Sequence, residues 1–155
     1  MLNLMSRRTA LNLSPSTANT AVTSAVAAET TMATVNINAG QLVGKAMNVV
    51  VSNTNANTLA TVRTWRVKLG GTTVAQWVQT GSGAIYSVQF SIADRGNNTQ
   101  RSAWHGTLNC TVSANAYTAS IDTTAATTLT ITAEQASVAG SETTTLEFYY
   151  AELLC

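Results

Sequence analysis

The chain has 155 residues, a formal net charge of +1 and only 10% charged residues, against about 25% in an average globular domain. That length suits one core with an appendage rather than two domains, and near-neutrality supplies no broad field for nucleic acid or an anionic membrane. No apolar run approaches the ~18 residues of a membrane-spanning helix, and Thr, Ala, Ser and Asn make up about half of the sequence, a composition of strands and turns with small uncharged surface groups.

Residues 1–28 are expected to be an extended N-terminal arm and residues 29–155 a folded domain. Met1, Leu2, Leu4, Met5, Leu11 and Leu13 are scattered among Ser, Asn and Thr without a sustained period, around Arg7-Arg8 and the only proline, Pro15. A short helix over residues 2–11 is conceivable, and the remainder has linker composition. The twin arginine lacks the apolar region that an export signal needs, because Asn12, Ser14, Ser16, Thr17 and Asn19 interrupt it. Alone, such a segment buries too little surface to offset its ordering entropy, so a partner or its own domain must hold it.

In the body, alternation predicts strands over about Thr30–Ile37 and Lys45–Ser52, with Val35, Ile37, Met47, Val49 and Val51 inward. The run TVRTWRVKLGGTTVAQWV at 61–78 reads as a hairpin: Trp65, Val67 and Leu69 share one parity, and Gly70-Gly71 can take the positive φ values of a tight primed turn. Ala84 to Ile92 alternates most clearly, with Tyr86, Val88, Phe90 and Ile92 inward. After the turn cluster DRGNN, a strand over about Gln100–Val112 puts Trp104, Gly106, Leu108, Cys110 and Val112 on one face and His105 on the other. Thr127–Ala133 follows, with Leu129 and Ile131 inward. In the last strand, about Thr143–Leu153, Leu146, Phe148 and Tyr150 share the inward parity, and a bulge is expected at Leu153-Leu154. Eight strands at regular spacing without helical crossovers predict an all-β antiparallel sandwich with a jelly-roll-like topology. The Cys spacing around a Trp of an antibody-type domain is missing.

No catalytic, cofactor or metal site is expected. His105 is the only histidine, and its parity opposes that of Cys110, which argues against a zinc site or a Cys-His pair. A Ser-His-Asp set with Asp94 or Asp122 lacks a strained nucleophile turn. Glu134, Glu142, Glu147 and Glu152 show no spacing that demands a glycosidase pair. Neither KLGGTT nor TGSGA is a phosphate-binding loop. Cys110 and Cys155 read as two thiols, although pairing stays open if their strands meet. Trp65, Trp104 and Tyr86 share parity with aliphatic neighbours and read as core. Trp77 and Tyr149 fall on the opposite parity and are candidate exposed contacts for an oligomer interface, and together with Tyr117 they are candidates for a sugar platform.

RVKLGGTTV at 66–74, YSVQFSIADRG at 86–96, IDTTAATTLTITAEQA at 121–136 and TLEFYYAELL at 145–154 resemble, in order, a group of small virion proteins and virion-protein domains of tailed bacteriophages. The resemblance covers about residues 29–154. It implies a jelly-roll-like, non-enzymatic structural protein, assembled in the host cytoplasm and located on the virion, as a capsid decoration protein bound to major capsid protein. The alternative is a tail- or head-fibre-associated attachment module that recognises a host surface glycan. A homotrimer, or a dimer, is expected, since short sheets leave edges that charged residues are too few to protect. In the capsid reading Met1, Leu2, Leu4 and Met5 supply apolar contacts to the shell, and Arg7 and Arg8 reach its carboxylates or carbonyls.

Overall fold

The computed structural model describes residues 11–16, 20–23, 28–56, 62–80, 85–108, 110–112, 117–136 and 143–154. Over these residues the protein is an all-β antiparallel sandwich without helices. In chain order the strands are β1 (Leu11–Ser16), β2 (Thr20–Thr23), β3 (Thr30–Ile37), β4 (Ala46–Ala56), β5 (Arg63–Leu69), β6 (Thr72–Gln79), β7 (Ile85–Asp94), β8 (Gln100–Leu108), β9 (Thr111–Val112), β10 (Thr118–Ala119), β11 (Thr127–Gln135) and β12 (Thr143–Leu154). The large sheet runs β1-β12-β4-β7-β8-β10, with β2 also on β12, and the small sheet runs β3-β11-β5-β6-β9. The fold is rolled: early β3 pairs with late β11, and early β4 with β12. Among the described residues, only the hairpins β5-β6 and β7-β8 pair strands that follow each other in sequence.

Within the expected arm, β1 and β2 lie end to end along the outer edge of β12, from Leu11 opposite Leu153 to Thr23 opposite Thr143. The last strand would otherwise be an open edge, and backbone pairing is what the linker composition of these residues can still supply. Met1, Leu2, Leu4, Met5, Arg7 and Arg8 lie outside the described residues, as does Cys155.

Each expected strand but the one over 100–112 is present, and the inward parity of β4, β5, β7 and the Val35–Ile37 end of β3 is the one the alternation gives. Val35, Ile37, Met47, Val49, Val51, Trp65, Val67, Leu69, Val88, Phe90 and Ile92 are all buried, and each large apolar side chain removed from water stabilises the fold by about 1.5–3 kcal/mol. At the β5-β6 turn Gly70 (φ +54°) and Gly71 (φ +83°) take the predicted left-handed conformation. A Cβ on Gly70 would also stand 3.1 Å from Ile121 Cγ2 and from Thr127 Oγ1, so this turn packs against the loop that leads into β11.

Besides an extra residue at Leu13 of β1 and at Met32 of β3, three β-bulges reassign the faces of the candidate side chains, where alternation alone is silent. An extra residue on one strand of a pair shifts every later side chain to the opposite face. On β6 the extra residue is Val74, so Val67 pairs with Ala75 while Lys68 pairs with Thr73. On β12 it is Glu147, between the pairs Leu146–Asn53 and Phe148–Ser52; the bulge expected at Leu153-Leu154 lies here instead, and Leu153 is buried. On β8 it is His105, between Trp104 opposite Phe90 and Gly106 opposite Gln89. The expected single strand over 100–112 is in fact two strands, because the chain leaves the large sheet after β8 and joins the edge of the small one as β9, opposite Trp77 and Val78.

The two ends of the sandwich are held by polar groups. At one end the Asp94 carboxylate accepts hydrogen bonds from the Gly44 N–H (2.8 Å), the Thr123 hydroxyl (3.2 Å), the Gln100 amide (3.2 Å) and the Gly96 N–H (3.3 Å). At the other end a polar layer lies between the sheets: Gln79 and Asn53 exchange two amide bonds of 2.8 and 2.9 Å, Asn55 donates to Gln79, and the Thr144 hydroxyl donates to Asn55.

Candidate functional site

The outward face of the large sheet carries the aromatic and amide groups that a recognition surface needs. After the Glu147 bulge, Phe148 and Tyr150 both project from β12 away from the core. Phe148 is 40% exposed and Tyr150 is half-buried. Two residues apart on one strand, their Cα atoms are about 6.8 Å from each other. In register beside them lie Ser52 and Val50 of β4, then Ser87 and Gln89 of β7. The next row contains Glu152, Asn48 and Ser91, and the Gln89 amide donates to the Asn48 side-chain carbonyl oxygen at 3.4 Å. Ile85, 58% exposed and paired with Thr54, extends the apolar part of the face towards the other end of β7.

Electrostatics on this face are set by β12. Glu147 accepts a hydrogen bond from the Thr54 hydroxyl, and Glu152 is hydrogen-bonded to the Tyr150 phenol, which that bond to the carboxylate pushes above its ordinary pKa. A carboxylate thus stands at each end of the Phe148–Tyr150 pair. Farther across the sheet the β8 bulge turns His105 outward, where its Nε2 is hydrogen-bonded to the Ser91 hydroxyl.

The aromatics expected at the surface are elsewhere. Trp77 is fully buried: the Val74 bulge reverses its parity, so it stacks on Trp65 with ring centroids 6.0 Å apart and meets the Trp104 ring edge-on at 6.3 Å. Tyr149 is 6% exposed, turned inward by the Glu147 bulge. Neither side chain offers the outward contact that parity gave it, and Phe148 and Tyr150 take the outward positions instead. Tyr117 is half-buried beside β8, where its backbone carbonyl accepts from Ser102, and burial pushes its phenol pKa up. Trp65 and Tyr86 are buried and Trp104 packs against the core, as their parity predicts.

The other chemistry-bearing groups serve the fold. Burial would raise the Asp94 pKa, but the Gly44 N–H, the Gln100 amide, the Thr123 hydroxyl and the Gly96 N–H together hold the carboxyl below its ordinary value. Asp122 closes its own turn by accepting from the Thr124 N–H and hydroxyl, which lower its pKa. Cys110 is half-buried against the core while His105 is exposed. Among the described residues no three His, Cys, Asp or Glu side chains are grouped to hold a metal ion. On the outward face of the small sheet, Glu29 pairs with Lys68 at 2.7 Å, and Arg66 pairs with Glu134 at 2.7 Å and with Glu29 at 3.7 Å. This network lies among the hydroxyls of Thr34, Thr64, Thr128 and Thr130.

No family model matches the chain, and no curated protein does. Among solved structures it is similar to the CBM2 module of the evolved Dit protein of Lactobacillus casei BL23 phage J-1. The two share 9% sequence identity over 78% of this chain and 68% of that one, with a TM-score of 0.45.

Proposed function

We propose that the protein is a non-catalytic attachment module of a tailed-phage virion, which holds a host-surface glycan on the outward face of its large sheet. The observation that carries this reading is the Glu147 bulge. By inserting one residue it turns Phe148 and Tyr150 out of the sandwich, onto a face where Asn48, Gln89, Ser52 and Ser87 surround them. Sugars are recognised where an aromatic face meets the C–H side of a pyranose while nearby polar groups fix its hydroxyls, and Tyr adds a polar tip to its apolar body. The virion context comes from the order of sequence motifs over residues 29–154. A glycan array and a whole-cell adsorption assay with the purified protein test the reading. Selective binding that is lost in Phe148→Ala/Tyr150→Ala, with an unchanged melting temperature, supports it, and binding that survives the double substitution refutes it.

A second reading is capsid decoration, in which the protein binds major capsid protein as a homotrimer or dimer. It draws on the outward face of the small sheet, whose threonine hydroxyls surround the Glu29–Lys68 and Arg66–Glu134 pairs and would suit a polar protein surface. Density distributed over the capsid lattice in cryo-images of intact particles would favour it, and density confined to the tail would reject it. Native mass measurement of the purified protein decides between trimer and dimer.

A further inference from the structure

We propose that the glycan held by the Phe148–Tyr150 face is an uncharged polysaccharide, and that Glu147 and Glu152 exclude phosphate- and uronate-bearing polymers from it; this rests on the attachment reading above. The two aromatic side chains are bracketed on their own strand. Glu147 precedes Phe148 and is fixed by the Thr54 hydroxyl, and Glu152 follows Tyr150 and is fixed by its phenol. Both carboxylates are therefore held beside the rings rather than swinging freely into solvent. A polymer lying along β12 over both rings passes within a few ångströms of each.

The described cations lie away from these two rings: Arg63 is buried on the inward side of β5, and Arg95 lies in the turn between β7 and β8. Arg66 and Lys68 belong to the outward face of the small sheet, where Glu29 and Glu134 neutralise them. On the large sheet, Arg101 lies in the row of Ala93, Ala46 and Leu154, at least three strand spacings, or about 14 Å, from Tyr150. That exceeds the ~8 Å screening length at physiological salt. The Lys45 position just precedes that same row. A repeated anion on the ligand therefore meets two fixed negative charges and, among the described residues, no positive one beside the rings, an arrangement that rejects ligands by like-charge repulsion more than it attracts any. A neutral sugar meets no such penalty. Its apolar side covers Phe148 and Tyr150, and its hydroxyls find both donors and acceptors in the Asn48 and Gln89 amides and the Ser52 and Ser87 hydroxyls.

The test uses the intact chain against an array of bacterial oligosaccharides in matched neutral, uronate-bearing and phosphate-bearing forms, with affinities measured by titration at low and high salt. Neutral members should bind with little salt dependence, and their anionic counterparts should bind about tenfold more weakly at low salt, as two partly exposed like-charge contacts imply. Glu147→Gln/Glu152→Gln keeps both side chains able to hydrogen-bond, and it should bring the anionic forms close to the neutral ones while leaving neutral binding within about twofold. Phosphate- or uronate-bearing members that bind as tightly as the neutral ones, and lose that binding in Phe148→Ala/Tyr150→Ala, would overturn the uncharged ligand class and leave the attachment face standing. If no member binds, or if binding is indifferent to the aromatic substitutions, the attachment reading falls and this inference with it.

Discussion

Asp94→Ala tests whether one carboxylate ties together an end of the sandwich. The side chain joins three separate stretches: the loop between β3 and β4 through Gly44, the β7-β8 turn through Gly96 and Gln100, and the approach to β11 through Thr123. Each hydrogen bond is worth about 0.5–1.5 kcal/mol net, and a buried donor left unpaired costs about 1–3 kcal/mol. The Gly44 and Gly96 N–H groups lie at exposed positions and can bind water once the carboxylate is gone. Gln100 is fully buried but its amide also donates to the Ile121 carbonyl at 2.9 Å. Thr123, 4% exposed, has no comparable relief. The sum is about 2–3 kcal/mol, which for a domain of this size lowers the melting temperature by roughly 4–12 °C. Differential scanning calorimetry at neutral pH measures it. The acid limb supplies an independent reading. Because the folded pKa lies below the ordinary aspartate value, the carboxylate contributes its full stabilisation above about pH 4 and loses it as the pH falls through the folded pKa. The wild type should therefore lose stability below about pH 4 more steeply than the variant. An Asp94→Ala protein that melts within about 1 °C of the wild type, with a parallel acid limb, would refute the reasoning.

Trp77→Ala should destabilise the fold by about 3–5 kcal/mol through the cavity left between Trp65 and Trp104, without altering the oligomeric state read by native mass measurement, since the side chain is interior. Gly70→Ala should cost at least about 1 kcal/mol in chemical denaturation, because the residue has φ +54° and the new methyl would crowd Ile121 and Thr127 at 3.1 Å. Gln79→Leu should cost more than about 3 kcal/mol, since it removes three buried amide bonds, two that Gln79 accepts from Asn53 and Asn55 and one that it donates to Asn53; thermal unfolding gives the value. Removing residues 1–23 should leave a folded sandwich that self-associates, as it strips β1 and β2 from the edge of β12; light scattering against concentration checks this.

Period-two alternation was sufficient for the all-β class, the strand positions and most of the core. The reason is physical: a strand half-buried in a sandwich must place apolar residues at every second position, so Tyr86, Val88, Phe90 and Ile92 announce both the element and its inner face. Gly70-Gly71 likewise announced its turn, because few other residues tolerate two successive positive φ values. What alternation cannot carry is the position of an inserted residue. Val74, Glu147 and His105 resemble their neighbours in composition, and each becomes a bulge only because the partner strand's register leaves one residue over. Two of those three insertions decide the candidate site, one by turning Trp77 into the core and the other by exchanging Tyr149 for Phe148 and Tyr150 at the surface. The pairing of β1 and β2 with β12, and the meeting of Asp94 with Gly44 and Thr123, join residues far apart in the chain and were likewise set by tertiary packing. Local pattern determines which side chains seek burial, while the count of residues between two strands in register determines which of them obtain it.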